Sequence, residues 1–378
     1  MEYRPFGTTG LAVSVFTQGG MRFLHGWDAP HDVLPDDSLE NVRQVLNASL
    51  GAGINLLETA RGYGKSERLL GRILPTLGRP RESFHVMSKA SPTPTAGEMR
   101  RNVEESLQRL GLSFLELYAL HGLNTRADVD SALAPGGCLE GLEQAQREGL
   151  VGAVGFSSHA PTPLLLEAVA SGRFAFVNLH YYFFKRENRP VLDLAAALGM
   201  GVLILSPNDK GGLLYDPPPR LRQLTAPLPP VHFNERWLLA HPAIHTLSLG
   251  LSEPDHLALH LGSLTPLPYR GATEEAAEKR LAAAQEASPL ASCGGCQACL
   301  PCPRGVAIPD ILRLRHLSET LGMTAFARYR YELFDPADRW MPGGKANRCD
   351  DCGDCLPRCP RRLAIPTLMR QVHAGMVG

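Results

Sequence analysis

Phe84-His85-Val86-Met87-Ser88, then a stretch of amphipathic spacing over residues 96–110, then Leu115-Glu116-Leu117-Tyr118-Ala119-Leu120: this unit of strand, helix and strand decides how the chain folds. Short apolar runs separated by helical apolar spacing recur from about residue 11 to 265. Strands are expected at 13–18, 55–58, 84–88, 115–120, 151–156, 174–179, 202–206 and 245–249. The clearest helices fall at 37–52, 66–74, 96–110, 139–148, 163–171 and 190–198, several of them followed by glycine, as helix stops are. Eight such units predict an α/β fold, a (β/α)8 TIM barrel. An open doubly wound sheet is the alternative, but no G-x-G-x-x-G opens a first helix. Residues 3–15, centred on Gly10-Leu11, read as a hairpin capping the bottom of the barrel.

Past Pro266 the pattern changes. Residues 274–286 are rich in alanine, glutamate and lysine, which suits a connecting helix, and 310–331 has helical apolar spacing without alternation. The expected organisation is a barrel over 1–265, a linker helix within 266–292, and a small α-helical domain over 293–378. With 378 residues the chain is long enough for a large core and an appendage. Lysine plus arginine and aspartate plus glutamate number 38 each, so no net field draws in nucleic acid or an anionic membrane surface. No apolar run reaches bilayer-spanning length, and Met1-Glu2-Tyr3-Arg4-Pro5-Phe6 lacks an apolar signal core. The expected partners are therefore small molecules and the expected location is the cytoplasm.

Eight of the nine cysteines lie at or beyond Cys293, in two runs: Cys293, Cys296, Cys299 and Cys302 before Pro303, and Cys349, Cys352, Cys355 and Cys359 before Pro360. Three thiolates at steps of three let one turn of chain hold three corners of a cubane, with a fourth cysteine before proline ligating from a distance. Zinc ribbons instead present two separated C-x-x-C pairs, and a disulfide framework would call for a secretory signal. Two [4Fe-4S] clusters are the expected occupants, although two residues rather than three separate Cys299 from Cys302. Cys138 reads as a structural thiol.

Barrel chemistry sits where strands end, so the polar residues closing the apolar runs are the candidates. Glu58 ends Asn55-Leu56-Leu57, Tyr63 follows in the next loop, Lys89 follows Ser88, and His121 follows Leu120. A carboxylate, a phenol, an ammonium and an imidazole at one mouth make a proton-donating site for a carbonyl oxygen. A nearby ammonium is expected to lower the tyrosine pKa, with the carboxylate holding that ammonium in place. Each of the four alone reads as a surface charge, a packed ring or a core histidine; the combination is the specific signal.

The stretch from Gly53 to Glu67, Gly-Ile-Asn-Leu-Leu-Glu-Thr-Ala-Arg-Gly-Tyr-Gly-Lys-Ser-Glu, resembles the D-T-A-x-x-Y-G-x-S-E signature of the aldo-keto reductase family. The resemblance covers most of residues 1–265. It implies that Tyr63 is the general acid, that Lys89 tunes it, that His121 orients the carbonyl, and that Glu58 stands where the family has aspartate. Barrel and tail together resemble a branch of that family carrying a C-terminal double [4Fe-4S] ferredoxin-like domain. By resemblance to two-cluster ferredoxins, the fourth cysteine crosses over: Cys293, Cys296, Cys299 and Cys359 hold one cluster, and Cys349, Cys352, Cys355 and Cys302 the other.

The same resemblance implies a nicotinamide cofactor, NADPH or NADH. Ser157, Ser158 and Asn178 look like the groups that hold the carboxamide. The segment with Ser206, Lys210, Gly211, Gly212 and Leu213 is similar to the one lying along the dinucleotide, where glycines permit close approach to the pyrophosphate. Ser252 and Asp255 fit the adenosine end. The lysine and arginine usual for a 2′-phosphate are missing there, and Asp255 favours a ribose hydroxyl, hence NADH. Arg61 beside the tetrad is read either as an attractor of acidic substrates or as the partner of a local carboxylate. Met21, Arg22, Phe23 and Trp27 are candidate pocket residues.

The resulting expectation is an NAD(P)H-dependent oxidoreductase that interconverts a carbonyl and an alcohol. The alternative is a ferredoxin-like electron carrier or redox-sensing regulatory protein whose barrel binds nicotinamide without turnover. A nicotinamide gives two electrons as hydride whereas a cluster takes one, so a one-electron redox partner protein is a further candidate partner.

Overall fold

Eight parallel strands close on themselves in chain order, the last pairing back onto the first. The structure is a computed structural model that describes all residues except 27, 209–212, 288–292, 336–342 and 378. The chain divides into two units, one made of residues 1–181, 188–207 and 238–266, the other of 182–187, 208–237 and 267–378.

The first unit begins with an antiparallel hairpin, β1 (Tyr3–Pro5) with β2 (Ala12–Ser14). The barrel follows: β3 (Phe16–Gly19), β4 (Leu56–Glu58), β5 (His85–Ala90), β6 (Leu115–His121), β7 (Val151–Ser157), β8 (Phe176–Leu179), β9 (Gly201–Leu205) and β10 (Thr246–Leu249), which pairs back onto β3. The expected (β/α)8 fold is therefore observed. Most strand ends shift by one or two residues from the expected bounds, and one expected strand is split. The apolar run 13–18 is two strands, because residues 13 and 14 pair with the hairpin and only Phe16 onward joins the barrel.

The hairpin closes the barrel floor. Phe6 is fully buried in a cluster with Leu56, Met87, Leu117, Ala119, Ala153, Phe176 and Leu203. That plug requires glycine at two positions. A Cβ on Gly7, whose φ is +55°, would lie 2.3 Å from the Gly201 nitrogen, and one on Gly201 would lie 2.8 Å from the Phe6 ring.

Helices cover the outside and set where each strand begins. Ala96–Leu110 is representative. Thr95 and Glu98 form a capping box at its start, and Gly111, with φ at 64°, ends it in the left-handed region that glycine adopts without a Cβ penalty. Its buried face is Met99, Val103, Ser106, Leu107 and Leu110. Burial of each large apolar side chain contributes about 1.5–3 kcal/mol.

Side chains alternate across a strand with a period of two. Leu56, Met87, Leu117, Ala153 and Phe176 all belong to the interior cluster. Counting on by twos, Glu58, Lys89, Ala119 with His121, Gly155 with Ser157, and Asn178 also face the interior, toward the C-terminal end. The hydrophobic layer thus becomes a polar one at the height where the strands finish.

The second unit is helical among its described residues. It contains the helices Pro219–Thr225, Ala272–Glu286, Ile308–Leu321, Thr324–Glu332 and Ile365–Val377 around a core that includes Phe233, Leu281, Ile311, Leu317, Tyr331 and Met369. The alanine-rich stretch forms the helix Ala272–Glu286. Within this unit Lys185 bridges Glu187 at 2.5 Å and Asp310 at 2.8 Å. Among the described residues no helix is long and apolar enough to cross a membrane.

Candidate active site and cluster-binding cysteines

Three of the tetrad residues sit at or next to the C-terminal ends of adjacent parallel strands, β4, β5 and β6. Glu58 is opposite Met87, Lys89 opposite Ala119, and His121 opposite Ser157. The Thr59 nitrogen donates to the Met87 carbonyl at 2.8 Å and the Arg61 nitrogen to the Lys89 carbonyl at 2.9 Å, so the chain leaving β4 stays attached to β5. It then turns through Gly64, φ 53°, into the helix Ser66–Ile73, with Tyr63 just before that helix.

Lys89 is fully buried. Its ammonium donates to Glu58 Oε1 and, at 2.9 Å, to the Thr59 carbonyl. It lies over the Tyr63 ring, 4.7 Å from the centroid, and the His121 ring meets Tyr63 edge-on at 5.3 Å and 86°. The second Glu58 oxygen accepts from the Ser248 hydroxyl at 3.1 Å. A carboxylate, an ammonium, a phenol and an imidazole are therefore contiguous in a largely water-free space.

Burial dominates the protonation of this group. It pushes the Tyr63 phenol well above the ordinary tyrosine value and pulls Lys89 well below the ordinary lysine value. The expectation that the ammonium lowers the tyrosine pKa is not met, because burial of the phenol dominates. The phenol consequently holds its proton at neutral pH, the form from which it donates.

Arg61 donates to Glu105 at 2.7 Å and to the Asn102 carbonyl at 3.2 Å. Of the two readings of Arg61, pairing with a local carboxylate is the one realised. Met21 and Arg22 are exposed, Phe23 is buried, and Trp27 lies outside the described residues.

Ser157 and Asn178 are register partners at the ends of β7 and β8. The Asn178 amide nitrogen contacts Met87 Sδ at 3.7 Å, while its Oδ1 is buried with no hydrogen-bond partner. An amide oxygen held bare inside a barrel mouth suits a ligand that carries N–H groups. Ser158 is committed locally, donating to the Leu123 carbonyl and accepting from the Ala160 nitrogen at 2.9 Å. Ser206 is exposed just after β9 with φ at 47°, and Ser252 sits 3.4 Å from a His256 ring nitrogen. Asp255 is exposed at the start of the helix His256–Leu261. Lys210, Gly211 and Gly212 lie outside the described residues, and Leu213 is buried in the apolar core of the second unit. Sequence reasoning missed Ser248 and the Thr59 carbonyl. Ser248 does not close an apolar run but sits inside one, between Leu247 and Leu249.

In the second unit the thiols sort into two neighbourhoods. Cys302, Cys349, Cys352 and Cys355 line one cavity together with Val306, Ile308 and Met369. Cys293 has Cys296 and Cys359 for electrostatic neighbours, and Cys299 has Cys293 and Cys296, with Cys355 as a weaker contact. Burial raises the thiols of Cys293 and Cys355, and pushes Cys299 up to about 12. Arg304 pairs with Asp350 at 2.5 Å, and Arg358 donates to the Leu300 carbonyl at 3.2 Å, tying the two cysteine runs together. In the cavity three thiols of the second run meet Cys302 of the first, and in the other neighbourhood Cys359 of the second run lies near Cys293 of the first.

The aldo/keto reductase family pattern matches residues 17–228. The chain belongs to the aldo-keto reductase family. A 4Fe-4S dicluster domain pattern matches residues 292–364. Among curated relatives of this aldo-keto reductase, an L-galactose dehydrogenase of Arabidopsis thaliana is 26% identical over 73% of this chain and 92% of the relative. A 6-dehydroglucose reductase of Novosphingobium aromaticivorans is 26% identical over 64% of this chain and 83% of the relative. A solved structure titled as a putative aldo-keto reductase from Pseudomonas aeruginosa, 28% identical, superposes with a TM-score of 0.55 over 70% of this chain and 95% of that one. With this family and these relatives, the chain is an oxidoreductase that carries an iron-sulfur domain.

Proposed function

We propose that the barrel interconverts a carbonyl and an alcohol with NADH or NADPH, Tyr63 acting as the proton donor. The observation that carries this reading is the contact of the Tyr63 ring with both Lys89 and His121, with Glu58 holding Lys89 from behind. A bound nicotinamide would supply or accept the hydride. Tyr63 places a proton on the carbonyl oxygen, its phenol kept protonated by burial. Lys89 sets the field at the ring as the oxygen gives up that proton, and Glu58 keeps the ammonium from turning away. His121 donates to the same carbonyl oxygen and fixes its direction. Asn178, whose Oδ1 is buried and bare, and Ser157 beside it would hold the carboxamide of a bound nicotinamide, the first by accepting from it and the second by donating to it. The burial of the tetrad excludes bulk water.

Two of the relatives are named for sugar substrates, so polyhydroxylated carbonyls and the matching alcohols are the first class to assay. Tyr63→Phe is expected to lower turnover by roughly 10²–10⁴-fold while cofactor affinity stays within a factor of two or so. Full turnover in that variant refutes the assignment.

The eight cysteines support a second redox function in the same chain, two [4Fe-4S] clusters that exchange single electrons. No two-electron to one-electron converter is evident in the sequence, so we infer that the nicotinamide does not charge the clusters directly. Anaerobic titration with NADH and NADPH, followed by cluster absorbance, tests this: rapid bleaching in pure, flavin-free protein overturns it.

A further inference from the structure

Ser248 is buried in β10, and β3 separates β10 from β4, which carries Glu58. The Glu58 carboxylate spans that gap. Oε2 accepts from Ser248 at 3.1 Å while Oε1 takes the Lys89 ammonium from β5 on the opposite side. The crossing is possible because β3 presents no side chain there. A Cβ on Gly19 would lie 2.9 Å from Ser248 Oγ, 3.1 Å from the Leu249 carbonyl and 3.2 Å from Glu58 Oε2. Gly19 is also the register partner of Glu58. Removing one methylene would withdraw the carboxylate by roughly 1.5 Å, which no hydrogen bond already at 3.1 Å tolerates.

We propose that Ser248 is a positioning residue for the reaction, acting through Glu58 to aim Lys89 at Tyr63, and that Gly19, Ser248 and Glu58 form a matched set that requires glutamate at position 58. This inference rests on the carbonyl reductase reading of the same site. Ser248 holds one carboxylate oxygen, so the other has a single direction left, toward Lys89. The titratable groups facing the pair are Tyr63, whose ring lies under the ammonium, and His121 at the edge of that ring. Glu67 acts one residue away, accepting from the Ser88 hydroxyl at 2.6 Å and pairing with Arg109 at 3.3 Å.

The test uses the full-length protein, 4-nitrobenzaldehyde as probe substrate, and the variants Ser248→Ala, Glu58→Asp and their combination. Ser248→Ala should lower kcat/KM by roughly ten- to a hundredfold, the worth of one hydrogen bond to a charged group, with cofactor affinity unchanged. Its high-pH limb should move to lower pH, because a less firmly held ammonium loses its proton sooner. In the Glu58→Asp background Ser248→Ala should cost nothing further. A readout independent of turnover is Lys89 itself: the chain has six lysines, so ¹³C-lysine NMR follows its titration, which should shift downward in Ser248→Ala. A wild-type pH profile and an unmoved Lys89 titration in Ser248→Ala overturn the proposal, as does an equal loss in both backgrounds. If Tyr63→Phe retains turnover while Lys89 moves, the reductase reading fails and the positioning of Lys89 by Ser248 stands.

Discussion

Lys89→Met tests the energetics of the buried tetrad most directly. Methionine matches the volume of the lysine stem, so packing changes little and the perturbation is electrostatic. The Lys89 and Glu58 side chains are 0% and 3% exposed, so once the ammonium is gone Glu58 has only Ser248 and no access to bulk water. Its way out is to take up a proton. Moving a carboxyl from an ordinary value near 4.3 to protonated at pH 7 costs about 3.7 kcal/mol, inside the ~3–5 kcal/mol seen when one partner of a buried pair is removed. At roughly 2–4 °C per kcal/mol for a unit of this size, the midpoint of barrel unfolding should fall by ~7–15 °C.

The sign with pH follows from linkage. In the variant the folded value of Glu58 is raised above the unfolded one, so the stability it contributes is present below about pH 4.3 and lost as pH rises. The deficit should therefore shrink to about 1.6 kcal/mol at pH 5.5. Glu58→Gln combined with Lys89→Met should restore most of the loss and abolish its pH dependence. Thermal unfolding by near-ultraviolet circular dichroism at the two pH values is the assay. A midpoint unchanged from wild type, or a deficit equal at both pH values, refutes the reasoning.

Two further outcomes are expected in the second unit. If the fourth cysteine of each run serves the other cluster, Cys293→Ala with Cys359→Ala removes one cluster and leaves about four of about eight irons, whereas Cys349→Ala with Cys359→Ala removes both; iron and sulfide counts after anaerobic purification decide, and the reverse outcome assigns each cluster to a single run. Asp310 is held below its ordinary 3.8: burial opposes its charge, and the Lys185 ammonium with Arg313 outweighs that opposition. A folded value below the unfolded one means stability present above about pH 3.8 and lost as pH falls through the folded value, so Asp310→Asn should flatten the acid limb of unfolding between about pH 4 and 2. An acid limb identical to wild type sinks that attribution.

The barrel was legible because each of its strands is a short apolar run set off by helical spacing, a local signal that parallel strands cannot avoid displaying. Glu58, Lys89 and His121 were legible for the same reason: they break those runs at the mouth. The split of residues 13–18 was not, since β2 and β3 read as one apolar run and differ only in which strand they pair with. Ser248 was hidden because a single hydroxyl between two leucines carries no local mark of the strand it reaches. The protonation of Tyr63 was not legible because proximity to an ammonium can be inferred from a motif, whereas the depth at which the phenol is buried cannot.

By itself, then, the sequence determined the closed alternation of strand and helix, the family, the four residue types that meet at the barrel mouth and the two cysteine runs of the dicluster domain, all of them properties of spacing along one chain. Tertiary structure decided what those residues do to one another: that Lys89 lies over the ring of Tyr63, that Glu58 is held between β5 and β10 above a bare Gly19, and that Cys302 shares one cavity with Cys349, Cys352 and Cys355 of the other run. Those are facts of direction and burial. Electrostatics in a desolvated site depends on both, and neither is written in the spacing of residues.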